Sequence, residues 1–125
     1  MGLQGRRPVY LDLQRIRLPV SGVVSILHRI SGILLYVSTP FVAYLLELSL
    51  RSADGFSRAA ALVHAWPVQL WLALAAWALC HHVLAGLRVL FIDFDIGVER
   101  ELARQSARWV LASAVVLAAL LWFAL

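Results

Sequence analysis

The sequence predicts an all-α integral membrane protein with three spanning helices, and three observations lead there. Hydrophobic residues make up 62% of the 125 residues and charged residues 14%, against roughly 45–50% and about 25% in ordinary globular chains. A soluble domain this small has too much surface to hide such an excess. The apolar residues also fall into three long runs rather than short amphipathic stripes. Finally, the cations are distributed very unequally between the two sides that those runs define.

Taken in order, residues 1–19 form a polar leader containing Arg6, Arg7, Arg15 and Arg17. It lacks the short apolar core and small-residue cleavage site of a secretory signal. Leu11 to Arg17 alternates apolar and polar residues, which suits either a surface segment or one docked on a soluble partner. The first run covers about 20–50, with Ser21, Ser25, His28 and Arg29 in its early turns. Arg51 to Arg58 reads as a short turn. The second run covers about 59–87 and is interrupted by His64, Pro67 and Gln69 early and by His81 and His82 late. The third covers about 107–125. Each reaches the ~20 residues that cross ~30 Å of hydrocarbon at about 1.5 Å per residue. At this length only helices satisfy their own backbone groups in lipid. Residues 1–125 therefore read as a single membrane domain.

All eleven cations are Arg. Arg6, Arg7, Arg15, Arg17, Arg29, Arg88, Arg100, Arg104 and Arg108 fall on one side, and only Arg51 and Arg58 on the other. By the positive-inside rule the N-terminus is cytoplasmic and the C-terminus is outside. Trp66, Trp71 and Trp122 near the outer level and Trp109 near the inner one suit headgroup anchoring. The net charge of +4 and pI of about 10.2 then reflect topology and anionic headgroups rather than nucleic acid. Cys80 is the single cysteine, which excludes an internal disulfide and reads as a small buried hydrophobe.

A charge at the centre of a spanning helix costs ~2.5–3.5 kcal/mol on insertion scales, so ionisable residues there point to function. Two clusters occur, both toward the inner half. In the first, Ser25, His28 and Arg29 share a helix face at spacings of three and four. They could hydrogen-bond a quinone carbonyl or a carboxylate; alternatively Arg29 snorkels to the headgroups and the serines bond their own helix. Ser31 and Gly32 follow them. In the second, His81 and His82 precede Gly86 and Arg88. A neutral imidazole in a dry bundle suits haem iron, or an interhelical hydrogen bond. Adjacent residues diverge by ~100°, so only one histidine can face a given haem. The stripe Ala75, Ala78, His82 and Gly86 is small enough for a macrocycle, whereas Trp77 and Leu84 crowd the His81 side. Glu47, His64, Asp93 and Asp95 lie near segment ends, where Asp93 and Asp95 read as partners of Arg88 or as turn caps. No nucleophile–base pair, metal-ligand pair or glycine-rich phosphate loop is present.

Two motifs carry a resemblance. Arg7-Pro8-Val9-Tyr10-Leu11-Asp12-Leu13 followed by Ser25-Ile26-Leu27-His28-Arg29-Ile30-Ser31-Gly32 resembles the N-terminal signature of the cytochrome b membrane-anchor subunits of succinate dehydrogenase. His82-Val83-Leu84-Ala85-Gly86-Leu87-Arg88-Val89-Leu90-Phe91-Ile92-Asp93 is similar to that family's His-x3-Gly-x-Arg-x-Leu-x2-Asp signature. The resemblance implies a three-helix anchor in a bacterial inner membrane, packing with a small anchor subunit into a haem-binding bundle. His82 would be one axial ligand of haem b, and the small anchor subunit would give the other. Ser25 and Arg29 would line a ubiquinone pocket beside the iron–sulfur subunit, which receives electrons from a flavoprotein subunit oxidising succinate. His28, Arg29 and Arg88 would lie near the haem propionates. Some relatives carry His where this chain has Val89, so any contact made there is absent. The nearest rival is the anchor of a quinol-oxidising fumarate reductase. A non-redox membrane transporter or assembly protein is the rival from another class.

Overall fold

The computed structural model describes residues 18–124, and within them the chain runs through four helices. These are α1 (Val20–Arg51), α2 (Ala53–His64), α3 (Trp66–Asp93) and α4 (Arg100–Ala124). The Arg7–Leu13 motif, the leader arginines and the alternating stretch Leu11–Arg17 lie outside the described residues. α1, α3 and α4 are each long and apolar enough to cross a membrane. α1 and α4 run parallel and α3 runs back between them, so Val20, Arg88 and Arg100 mark one end, here termed the arginine-rich end. Leu46, Trp66 and Leu121 mark the far end.

The expected turn at Arg51–Arg58 is instead the start of α2. Ser52 adopts an extended conformation, closing α1 and capping α2 by accepting a hydrogen bond from Gly55 N at 3.0 Å. Asp54 in the first turn and its ion pair with Arg58 at 2.9 Å reinforce that start. Gly55 packs on the Leu48 carbonyl so closely that a Cβ would overlap it, which lets the chain double back at once. α2 ends at Ala65, and Pro67 at the second position of α3 suits a helix start because its missing N–H has no intrahelical partner there anyway. The second apolar run is thus divided between α2 and α3.

The α3 C-terminus also extends beyond the apolar run, to Asp93. Ile96 N bonds Phe91 O and Asp95 N bonds Ile92 O, both at 2.9 Å, with Asp95 left-handed at φ 59°. This is a Schellman stop with Asp where glycine is usual, tolerated because a short polar side chain accepts that backbone region. Asp95 is therefore the turn residue of the two expected there. α4 begins at Arg100 rather than near Ala107, its first turn carrying Glu101.

The interior is narrow and made of small side chains. α1 buries Val24, Ser31, Ser38 and Leu45, spaced seven apart. α3 buries Ala78, His81 and Ala85, and α4 buries Ala107, Val110 and Ala114. Both follow the i, i+3, i+7 pattern of a coiled-coil seam. Val24, Ala85, Ala107 and Val110 form the shared cluster near the arginine-rich end. Large side chains such as Ile33, Leu74, Val116 and Phe123 face outward. Lipid tails are as apolar as Leu, so close backbone approach through small residues, not burial of large ones, holds such helices together.

Candidate functional site

His82 and His28 meet where α1 crosses α3. Each is followed four residues later by glycine, and the helices are antiparallel. His28 therefore lies over Gly86 while His82 lies over Gly32. A Cβ on Gly86 would be 3.6 Å from His28 Nε2, and one on Gly32 would be 3.0 Å from His82 Cε1. The two imidazoles stack with centroids 4.2 Å apart and planes 24° from parallel. One ring occupies the space that the opposite glycine leaves.

The His82 ring is oriented by its Nδ1 edge. Nδ1 lies 3.1 Å from the His28 carbonyl oxygen and 3.3 Å from Ser31 Oγ. A carbonyl can only accept, so the short contact requires the proton on Nδ1. Ser31 donates its own hydrogen to the same carbonyl at 2.8 Å, leaving oxygen lone pairs for Nδ1–H. The neutral ring then carries its free lone pair on Nε2, which meets no hydrogen-bond partner among the described residues. A backbone-anchored Nδ1–H opposite a free Nε2 is the donor arrangement of metal-bound histidine. This geometry fits an iron porphyrin ligand.

His81 is placed differently. It is fully buried on the inner stripe of α3, stacked on Trp77 at 5.4 Å and 20°. Neither ring nitrogen has a hydrogen-bond partner among the described residues. Trp77 crowds the His81 side, as its sequence position implies. The small stripe is rearranged, however. Ala78 is sealed inside the bundle beside His81 and Ala85, and Gly86 lies under His28. Ala78 and Gly86 therefore serve close packing within the bundle.

Ser25 and Arg29 are exposed on one face of α1, beside half-buried His28. The structure thus keeps the first cluster contiguous but turns Ser25 and Arg29, the residues expected at a quinone, outward. Arg88 has a different setting. Its Nε donates to Ser106 Oγ at 3.0 Å, and Nη2 donates to the Ala103 carbonyl at 3.1 Å and to Ser21 Oγ at 3.4 Å. The guanidinium joins α1, α3 and α4 about 10 Å nearer the arginine-rich end than His28, counted from Ser21 along α1. A propionate would have to compete with these partners or meet Nη1. No acid pairs with Arg88 among the described residues.

Sequence reasoning noted Ser31 and Gly32 without giving them a task. The signal was available: both four-residue His-to-Gly steps are visible, and antiparallel helices would match them. At the far end, a separate groove of ≈ 970 Å³ opens between the helices, lined by Leu35, Val42, Leu72, Ala76, Leu121 and Trp122 among others. Ser38 and Thr39 line it too, but bond the Leu34 and Leu35 carbonyls of their own helix.

A family model described as succinate dehydrogenase/fumarate reductase transmembrane subunit matches residues 4–121. The chain is 38% identical over 117 residues to the succinate dehydrogenase cytochrome b556 subunit of Paracoccus denitrificans, covering 94% of this chain and 90% of that protein. It is 36% identical over 98 residues to the subunit of the same name from Coxiella burnetii, covering 73% and 74%. With that of Rickettsia felis it shares 26% identity over 120 residues, covering 96% and 94%. The family model and the Paracoccus and Rickettsia matches span nearly the whole chain, helices and connections together.

Proposed function

The chain belongs to the family of succinate dehydrogenase/fumarate reductase transmembrane subunits, and on that premise we propose that it holds haem b and helps reduce ubiquinone. It is the cytochrome b membrane anchor of an oxidoreductase complex. Relatives named as cytochrome b556 subunits support haem as its cofactor. The observation that carries the reading is the His82 ring, with Nδ1–H tied to the His28 carbonyl and Nε2 free.

In this reading His82 Nε2 would hold the haem iron, together with a residue of a small anchor subunit covering the exposed face of α1. Only 6% of the most apolar window of α1 is buried, against 17% for α3 and for α4, which leaves α1 the most surface for that partner. When bound, haem b supplies a one-electron centre within the bundle. His28 and Arg29 lie toward its propionates, where cations are favourable. Arg88 serves chiefly to hold the helices.

Ser25 and Arg29 face outward from α1 to meet ubiquinone beside the iron–sulfur subunit. Reduction of a quinone to a quinol takes two electrons and two protons. The Arg29 guanidinium and Ser25 hydroxyl donate hydrogen bonds to the carbonyl oxygen on which negative charge develops, which orients the ring and lowers the cost of that charge. Electrons come from succinate through the flavoprotein and iron–sulfur subunits. The arginine excess supports a cytoplasmic position for this end in a bacterial inner membrane, where protons would be drawn from cytoplasmic water.

Two measurements test the reading. The reduced optical spectrum of the detergent-extracted complex should show a b-type haem that His82→Ala loses and His81→Ala keeps. Loss in both variants, or in neither, refutes the ligand assignment. Arg29→Ala should lower succinate:quinone turnover about tenfold, equivalent to ~1.4 kcal/mol of hydrogen bonding. Reduction of a soluble dye by succinate should be unaffected. Unchanged quinone turnover removes Arg29 from the site.

A further inference from the structure

Resting on the assignment of His82 as haem ligand, we propose that Ser31 is its positioning residue, a second acceptor on Nδ1–H that sets the ring's orientation and the electron-donating strength of the imidazole. Ser31 is fully buried, and its hydroxyl belongs to a closed triangle of polar atoms. Its hydrogen goes to the His28 carbonyl at 2.8 Å. That carbonyl is 3.1 Å from His82 Nδ1, and Nδ1 is 3.3 Å from Ser31 Oγ. Since the one hydroxyl hydrogen is committed to the carbonyl, Ser31 faces Nδ1 as an acceptor. The tautomer protonated on Nε2 would set a bare Nδ1 against two oxygen lone pairs, and a flipped ring would offer them only a carbon. The triangle therefore holds the proton on Nδ1 and leaves Nε2 as the donor atom.

Other hydroxyls on α1 do not share this role. Ser38 and Thr39 back-bond their own helix in the same way and have no partner across the bundle among the described residues. Ser38 is also buried and lies on the same stripe as Ser31, seven residues on. Ser31 is singled out by its cross-helix contact with a ring whose other nitrogen is free. An acceptor on Nδ1–H increases electron density at Nε2 and favours ferric over ferrous iron. Without it the iron should be easier to reduce.

The test compares Ser31→Ala with Ser38→Ala in the purified complex, by redox titration of the haem spectrum and by electron paramagnetic resonance of the ferric form. Ser31→Ala should retain haem and raise the reduced-to-oxidised ratio at fixed ambient potential about threefold, or ~28 mV at about 59 mV per decade. The largest g value should move with it. Ser38→Ala loses an equivalent buried back-bond and should leave both readings at wild type. An unchanged midpoint in Ser31→Ala overturns the proposal, as does an equal shift in Ser38→Ala. Loss of assembly in Ser31→Ala alone marks the hydroxyl as structural and overturns it as well. A His82→Ala complex that keeps the wild-type haem spectrum instead refutes the ligand assignment itself, a separate and distinguishable failure.

Discussion

The two halves of the bundle are held together by different physics. At the arginine-rich end, polar side chains bond from one helix to another: Arg88 to Ser106, Ser21 and Ala103, and His82 to Ser31 and His28. Toward the far end, Ser38, Thr39 and Ser49 bond only carbonyls of their own helix. There the helices splay around the ≈ 970 Å³ groove. In lipid no hydrophobic force draws helices together, so contact depends on close packing and interhelical hydrogen bonds. The half with both is the half where the candidate site is built. The coincidence suits the proposed role of His82, because a ligand histidine must be held by groups that cannot drift.

That contrast can be broken deliberately. The largest effect should come from Arg88→Ala, which strips three helices of their common donor. It should cost about 1–3 kcal/mol in unfolding of the purified complex from mixed micelles. A loss no larger than that of a far-end serine would remove the distinction between the halves.

Gly32→Ala should come next, at about 1–2 kcal/mol and with a disturbed haem spectrum, because its Cβ would lie 3.0 Å from His82 Cε1. Gly86→Ala is the matched control, since 3.6 Å from His28 Nε2 is ordinary contact. It should be close to neutral, and equal damage from both would show that the notch is not set by these distances.

His81→Phe keeps a planar ring against Trp77 and removes two nitrogens that lack partners. Stability should hold or rise by about 1 kcal/mol with haem retained; haem loss would assign His81 work that the geometry does not give it. The smallest effect belongs to the groove: Thr39→Val should change stability by about 0.5 kcal/mol or less.

Much of the architecture was legible from periodicity and charge. The three spanning helices follow from apolar length alone, and the arginine distribution separates the two ends. What was missed is instructive. The segment Arg51–Arg58 reads as a loop because it is short and charged, yet Ser52, Asp54 and Arg58 are also a helix start with its first ion pair. The Asp95 stop depends on a left-handed backbone that composition seldom reveals. Arg88 was legible as a costly residue to place in a span, but its partners were not. Its donors reach Ser21 and Ser106, which stand 67 and 18 residues away along the chain.

By itself the sequence determined which segments leave water, because transfer of apolar length into lipid is a local, additive property of each stretch. It also marked His28, Arg29, His82 and Arg88 as costly residues to place there. Which imidazole edge is tied and which is free was decided only in the tertiary structure. That choice depends on a carbonyl and a hydroxyl of α1 reaching a ring on α3 some fifty residues away, across a notch that two glycines leave open. Hydrogen bonds act over about 3 Å, and only the packed helices bring those atoms within that distance.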